Sequence, residues 1–297
     1  MRLYLIILFS FWGSEVLGAS CCVSNTGLSN LMILPAKWQQ TFGLSQSRVI
    51  GDVDTKRQSV FRNSKNKDTL TAMRMDLSYS WTSRYQTGIS LKYQNRDRAF
   101  NGDTANNSGW SDVAISQAFQ APNWRRLWYF QSLNIPTANS NYNSQEKLAI
   151  DAHGTGTYQL SMGVFSVSNF KEWDVLLGPE VHYSFARNFE RGGDRVAVSG
   201  AAGTGVLVGA GYIPWRSKMR YGVSLNPKYE GPKTVRINDE PTKSESSLVW
   251  DSSINLTYTL SAEYSIGATY LDQTLFGPVQ NTILVRSVSA LFQARWP

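Results

Sequence analysis

Cysteine is almost missing from this chain of 297 residues, whose two cysteines are the adjacent Cys21 and Cys22. Adjacent cysteines cannot cross-link distant segments, so a disulfide-stapled scaffold is excluded. Histidine is as scarce, with His153 and His182 alone, and no group of acids suits calcium. A metal site therefore has little support. Long hydrophobic runs are missing beyond the first 20 residues. A helix that crosses a bilayer needs about 20 consecutive apolar residues, and the mean hydropathy of -0.29 agrees that none follows. Any membrane role must use strands. The 29 Lys and Arg exceed the 22 Asp and Glu, for a net charge of +7. These charges are scattered, with no basic helix or RNA-binding signature to organise them, so nucleic acid is not an expected partner. Attraction for anionic lipid or anionic solutes is the better reading. No cofactor is expected either. "GAAGTGVLVGAG" (200–211) looks like a phosphate loop, but no Lys-Ser/Thr follows and no helix can start at Tyr212-Ile213-Pro214-Trp215. Its glycines are expected to permit bending and close strand approach.

The first 20 residues read as an export signal, with Arg2 as the positive charge, Leu3 to Trp12 as the apolar stretch and small residues around Gly18-Ala19-Ser20. Cleavage there leaves Cys21 near the new N-terminus. One reading makes Cys21 a lipidation site, although Gly18 stands where such a signal wants a larger aliphatic residue; the other is ordinary cleavage. Residues 21–39 are expected to form a periplasmic segment. Its apolar Leu31-Met32-Ile33-Leu34 suits either a partial plug of a lumen or a tether on a rim.

What the chain does have is alternation. In "AMRMDLSYSW" (72–81), Met73, Met75, Leu77, Tyr79 and Trp81 share one parity, and Arg74, Asp76, Ser78 and Ser80 share the other. Such segments recur, predicting strands over 40–50, 72–81, 85–94, 110–119, 126–135, 156–165, 173–186, 196–210, 218–229, 248–260, 263–272 and 282–296. The connectors between them alternate between long and short. An even number of antiparallel strands with that alternation predicts an all-β fold, a closed antiparallel transmembrane β-barrel of about twelve strands over 40–297, with both termini periplasmic. A soluble sandwich also alternates, but it gives aromatics no reason to collect at one end of its strands. Here Trp81, Tyr85, Trp124, Trp173, Tyr212, Trp215, Tyr258, Tyr264 and Trp296 flank the short turns or the chain end, as an interfacial belt would. A sparser second belt includes Tyr93, Trp110, Phe185, Tyr229, Trp250 and Tyr270. The expected location is a bacterial outer membrane, and the expected partners are its lipid and a small solute. The final strand, ending at Trp296 before Pro297, suits recognition by the barrel-assembly machinery.

If the apolar parity faces lipid, the opposite parity turns Arg74, Asp76, Lys92, Asp112, Asp174, Glu180, His182, Arg220 and Lys228 towards the lumen. These are candidates for solute selectivity, and the competing reading is that they pair with each other and fill the barrel. The expected function is passive passage of small solutes. The alternative is a closed structural or surface-interaction barrel acting through its long loops. An outer-membrane acyl hydrolase comes third, because His182-Tyr183-Ser184 has the spacing of a base and a nucleophile. Parity sends both inwards, and Val196 stands where the expected Asn would fall, so an enzyme is not expected. Nothing in the sequence announces an inward-folded constriction loop or a trimer face.

Three stretches carry a family resemblance: "GWSDVAISQAFQ" (109–120), "LWYFQSLNIPTANS" (127–140) and "HGTGTYQLSMGVFSVSNFKEWDVLLGPEVHYSF" (153–185). They resemble the outer-membrane barrels of the meta-pathway of phenol degradation, or transporter-like, family. Ala138 departs from that family's pattern, where a glycine follows Pro-Thr. The cysteine pair is similar to exported barrels of predatory bacteria such as Bdellovibrio. The resemblance implies a barrel of twelve or so strands that passes small, in part apolar, molecules.

Overall fold

The computed structural model describes residues 36–63, 65–124 and 126–297. The export signal, Cys21 and nearly all of segment 21–39 lie outside the described residues. In chain order the strands are β1 (Trp38–Val53), β2 (Ser59–Phe61), β3 (Lys67–Thr82), β4 (Tyr85–Phe100), β5 (Asp103–Trp110), β6 (Val113–Gln120), β7 (Leu127–Ile135), β8 (Gln159–Phe170) and β9 (Trp173–Ser184). They continue as β10 (Arg187–Arg191), β11 (Asp194–Val198), β12 (Ala201–Tyr212), β13 (Met219–Glu230), β14 (Lys233–Ile237), β15 (Glu240–Ser244), β16 (Ser247–Thr259), β17 (Tyr264–Asp272) and β18 (Thr282–Trp296).

Twelve of these form a closed antiparallel wall in the order β1, β3, β4, β6, β7, β8, β9, β12, β13, β16, β17, β18. The last strand pairs with the first, from Trp38 opposite Trp296 to Val53 opposite Thr282, with one register shift between Val49 and Gly51. Closure leaves the wall no free edge, which is what a lipid environment requires, because backbone groups there find no water.

The alternation sets the two faces. On β3, Met73, Met75, Leu77 and Trp81 are exposed outwards, while Ala72, Asp76 and Ser78 are buried on the inner side. The same holds on β9, where Val175, Leu177, Val181 and Tyr183 are exposed and Asp174, Leu176, His182 and Ser184 are buried. Exposed apolar side chains over this many strands would aggregate in water, and in a bilayer they are in their own solvent. At the short-turn end, Trp81, Trp124, Trp173, Tyr212, Trp215, Tyr258, Tyr264 and Trp296 are exposed, joined by Trp38, Phe119 and Phe170. The polar tips of this belt are engaged: Trp81 Nε1 donates to Thr87 Oγ1 at 3.0 Å and the Tyr85 hydroxyl to Gln117 Oε1 at 3.0 Å. In the sparser belt the Tyr93 hydroxyl donates to Ser108 Oγ at 3.1 Å.

Four expectations need correction at the long-loop end. The strand expected over 110–119 is broken at Ser111 and Asp112: β5 pairs with β4, from Tyr93 opposite Trp110 to Phe100 opposite Asp103, and β6 takes over from Ser90 opposite Ala114. The connector expected over 95–109 is therefore mainly a hairpin, turning at Asn101 (φ 51°) and Gly102 (φ 91°). Both its faces are polar because it extends past the apolar band, and that removed the alternation used to find strands. The strand expected over 196–210 is two strands: Ala201–Tyr212 lies in the wall, and Asp194–Val198 belongs to a second sheet. That sheet, β10-β11-β14-β15, is built from connectors expected to be loops. Phe189, Val196 and Val198 form its small core, with Tyr142, Val235 and Ile237 packed against it.

Candidate functional site: a lumen with two charged walls

The lumen is lined by the inward parity of the twelve strands, and its chemistry changes around the circumference. On β3 and β4 the inward residues are mostly ionic. Arg74 and Lys92 are cross-strand partners. Arg74 Nε donates to Asp76 Oδ1 at 2.8 Å and to Ser90 Oγ at 3.2 Å. Further up β4, Arg96 makes a two-pronged contact with Asp68 at 2.9 and 2.8 Å, and Arg98 Nε shares the same carboxylate at 2.9 Å. A bidentate guanidinium on a buried carboxylate is a strong, direction-fixing contact.

Across the lumen, β13 lies six strands from β4 around the wall. Here Lys228 Nζ donates to Asp251 Oδ2 at 2.7 Å, and Gln273 Nε2 to Asp251 Oδ1 at 2.7 Å. His182 Nε2 lies 2.6 Å from Glu230 Oε1. Glu180 sits between these pairs on β9 and has no ionic partner among the described residues. Nearer the short turns, Asp174 accepts from Arg220 Nε and Nη2 at 2.7 and 2.5 Å, and Arg220 Nη1 donates to Asn255 Oδ1 at 3.0 Å.

The glycines of 200–211 make this wall possible. Gly203, Gly205 and Gly211 are inward positions of β12, and the long side chains of β9 and β13 lie across them. A β-carbon on Gly203 would strike the His182 imidazole, and one on Gly211 the Arg220 guanidinium. Between the ionic walls, Ala118, Phe130, Phe165, Leu176 and Leu207 form an apolar lining with Trp128 and Val167 packed on it. Trp128 and Phe165 are stacked at 6.0 Å.

The connector 136–158 folds back over the lumen side of the mouth. His153 is its pivot. Gln94 Nε2 donates to the His153 carbonyl at 2.9 Å and lies 3.3 Å from its Nδ1, Ser111 Oγ donates to the same carbonyl at 2.6 Å, and Nε2 lies 3.0 Å from Asn107 Oδ1. Asp112 holds both ends of the connector: it accepts from Thr155 N (2.6 Å), Thr155 Oγ1 (2.8 Å), Ala138 N (3.3 Å) and Asn134 Nδ2 (3.3 Å). Arg98 Nη1 donates to the Leu148 carbonyl at 2.5 Å and Arg187 Nη1 to the Gly156 carbonyl at 2.8 Å. Ile150 and Ala152 are buried as a result. Burial and the Arg96 guanidinium hold the His153 imidazole below its ordinary pKa, opposed by Asp151.

The structure thus brings Arg74, Asp76 and Lys92 together on one wall and Glu180, His182 and Lys228 on the other. Asp174 and Arg220 form one buried pair, and Asp112 serves as a loop anchor in the break between β5 and β6. His182 and Ser184 share no hydrogen bond, since the imidazole is turned to Glu230. Asp68, Arg96, Arg98, Glu230 and Asp251 escaped the sequence reading, the first three because the strands run further than their alternation.

Among solved structures the chain is similar to an outer membrane channel from Pseudomonas putida F1, with a TM-score of 0.70 and 12% identity over 91% of this chain and 99% of that one. It is also similar to the translocator domain of the autotransporter NalP from Neisseria meningitidis, with a TM-score of 0.53 and 9% identity over 91% of each chain. Identities this low speak for the fold alone. No family model matches the sequence, and no curated protein matches it. The chain has the fold of a bacterial outer-membrane β-barrel.

Proposed function

We propose that the protein is a passive channel for small solutes in a bacterial outer membrane, with its short turns and both chain termini on the periplasmic side. The observation that carries this reading is the division of the lumen into walls of different charge beneath a tethered inward loop. Such a lining acts on a passing solute, whereas a lumen serving only as filler gains most by pairing every charge. The resemblance of 109–185 to the phenol-degradation family supports small solutes, and the strip of Trp128, Phe130 and Phe165 suits those with an apolar part. Recognition of β18 by the assembly machinery belongs to the same reading. Purified protein in a planar bilayer should give discrete conductance steps. A second reading, a closed barrel acting through its outer surface, is favoured by the separate β10-β11-β14-β15 sheet, whose edge strand β15 is exposed along its whole length. A folded, heat-modifiable barrel that stays electrically silent would select that alternative.

A further inference from the structure

The geometry points to an anion-binding subsite at Lys92, built to take the carboxylate of a small monoanionic solute just beneath the connector 136–158. This rests on the channel reading and deepens it.

Lys92 differs from its neighbours in having no counter-charge. Arg74 is joined to Asp76, Arg96 and Arg98 to Asp68, and Asp112 is taken up by Thr155 and Ala138 of the connector. Among the described residues no carboxylate or hydrogen-bond acceptor reaches the Lys92 ammonium. The side chain is half-buried in the wall, and the charges that act on it are Arg74, Arg96 and, more weakly, Asp112. A half-buried ammonium repelled by two guanidiniums and lacking a counter-charge of its own is a site that an anion would complete. The fold holds that ammonium in place: Lys92 lies directly across from Arg74 in the β3–β4 register, and its carbonyl accepts from Ser111 N at 2.7 Å.

The charge count selects the ligand. Arg74, Lys92, Arg96 and Arg98 face Asp68, Asp76 and Asp112, which leaves a single positive charge. A carboxylate cancels it. A phosphate dianion overshoots it, and the paired guanidiniums are not free to make up the difference. The subsite is placed where solute must pass, since Gln94, the next inward residue on β4, carries His153 of the connector.

The test uses the purified full chain in detergent, titrated calorimetrically with butyrate, with neutral butyramide and with inorganic phosphate at low salt. Butyrate should bind at least about tenfold more tightly than butyramide, the scale of one charge-assisted hydrogen bond, and added chloride should weaken it. Lys92→Gln should abolish that preference and Lys92→Arg should retain it. Equal affinity for butyrate and butyramide in the unaltered protein overturns the proposal without any variant, and phosphate binding more tightly than butyrate overturns the assignment to a monoanion. Bilayer recordings separate the two claims. Conductance without butyrate binding refutes the subsite alone, and butyrate binding to a silent barrel keeps the subsite while refuting the channel.

Discussion

The β3–β4 wall and the β9–β13–β16 wall of the lumen both carry charges of both signs, yet they end with opposite excess. On the first, four cations meet three carboxylates. On the second, the three carboxylates Glu180, Glu230 and Asp251 outnumber Lys228 and His182, so the balance is negative. The strand order places β4 opposite β13, and the two excesses face each other across the lumen. The comparison separates paired charges from unpaired ones. Most charges of the two walls are bonded to a partner, and Lys92 and Glu180 have no ionic partner among the described residues; in the channel reading proposed above, these two would act on a solute.

The largest effect should come from a paired charge. Removing Arg220 as Arg220→Leu leaves Asp174 buried opposite no cation, with side-chain exposures in the native pair of only 6% and 10%. A stranded buried charge of this kind costs about 3–5 kcal/mol. Equilibrium unfolding in detergent should show a loss on that scale for Arg220→Leu and almost none for Lys92→Met. Equal losses would mean that the ammonium of Lys92 is as firmly paired as the guanidinium of Arg220.

Selectivity should divide the other way. Lys92→Glu and Glu180→Lys each move a wall by two charges, in opposite directions. Their reversal potentials in a KCl gradient should shift with opposite sign, towards cations for the first and towards anions for the second. Arg74→Glu should follow Lys92→Glu. A charge pair a few ångströms apart near water is worth roughly 1–4 kcal/mol before screening, so a permeability ratio changed by about threefold is expected at low salt. Shifts of the same sign, or none in a conducting barrel, would show that these side chains do not face the path.

The walls also differ in how legible they were. Alternation gave the lumen-facing parity of Arg74, Asp76, Lys92, Glu180, His182 and Lys228, because lipid on one side and water on the other impose a period of two. It gave neither Arg96 nor Arg98, because past the apolar band both faces of β4 meet water and the period disappears. Pairing was beyond its reach for another reason. Arg220 meets Asp174 across the intervening glycine strand, and His182 meets Glu230 in the same way. Such contacts depend on strand order, barrel stagger and the space left at Gly203 and Gly211, which no local pattern encodes. The role of Asp112 was hidden likewise: its partners lie 22 to 43 residues further along the chain.

That anchor belongs to the cationic wall and ties it to the connector. Asp112→Asn keeps the shape but weakens four accepted hydrogen bonds at once, each worth about 1.5–3 kcal/mol when the acceptor is charged. Local opening of 136–158 should become about tenfold more frequent or greater, read as faster limited proteolysis within that segment and noisier single-channel current. The barrel itself should keep its heat-modifiable mobility. Unchanged proteolysis would mean that the contacts of Leu148, His153 and Gly156 hold the connector by themselves.

The smallest effect should be one of pH, and it acts through His153 on the same wall. Its Nδ1 faces the amide of Gln94, and its Nε2 faces Asn107 Oδ1, so a neutral ring protonated at Nε2 satisfies both. Arg96 and Lys92 on β4 oppose a positive charge there, Asp151 on the connector favours one, and burial is the largest influence. The folded-state pKa therefore lies below the ordinary 6.5. The contribution of the neutral ring is fully present above 6.5 and is lost as the pH falls through the depressed value. Proteolysis of the connector should be constant between about pH 7 and 8 and rise on acidification below the ordinary imidazole range. His153→Gln, which keeps a donor and an acceptor but does not titrate, should flatten that rise. A rise that survives the substitution would show that the cationic wall is coupled to the connector in acid by groups other than His153.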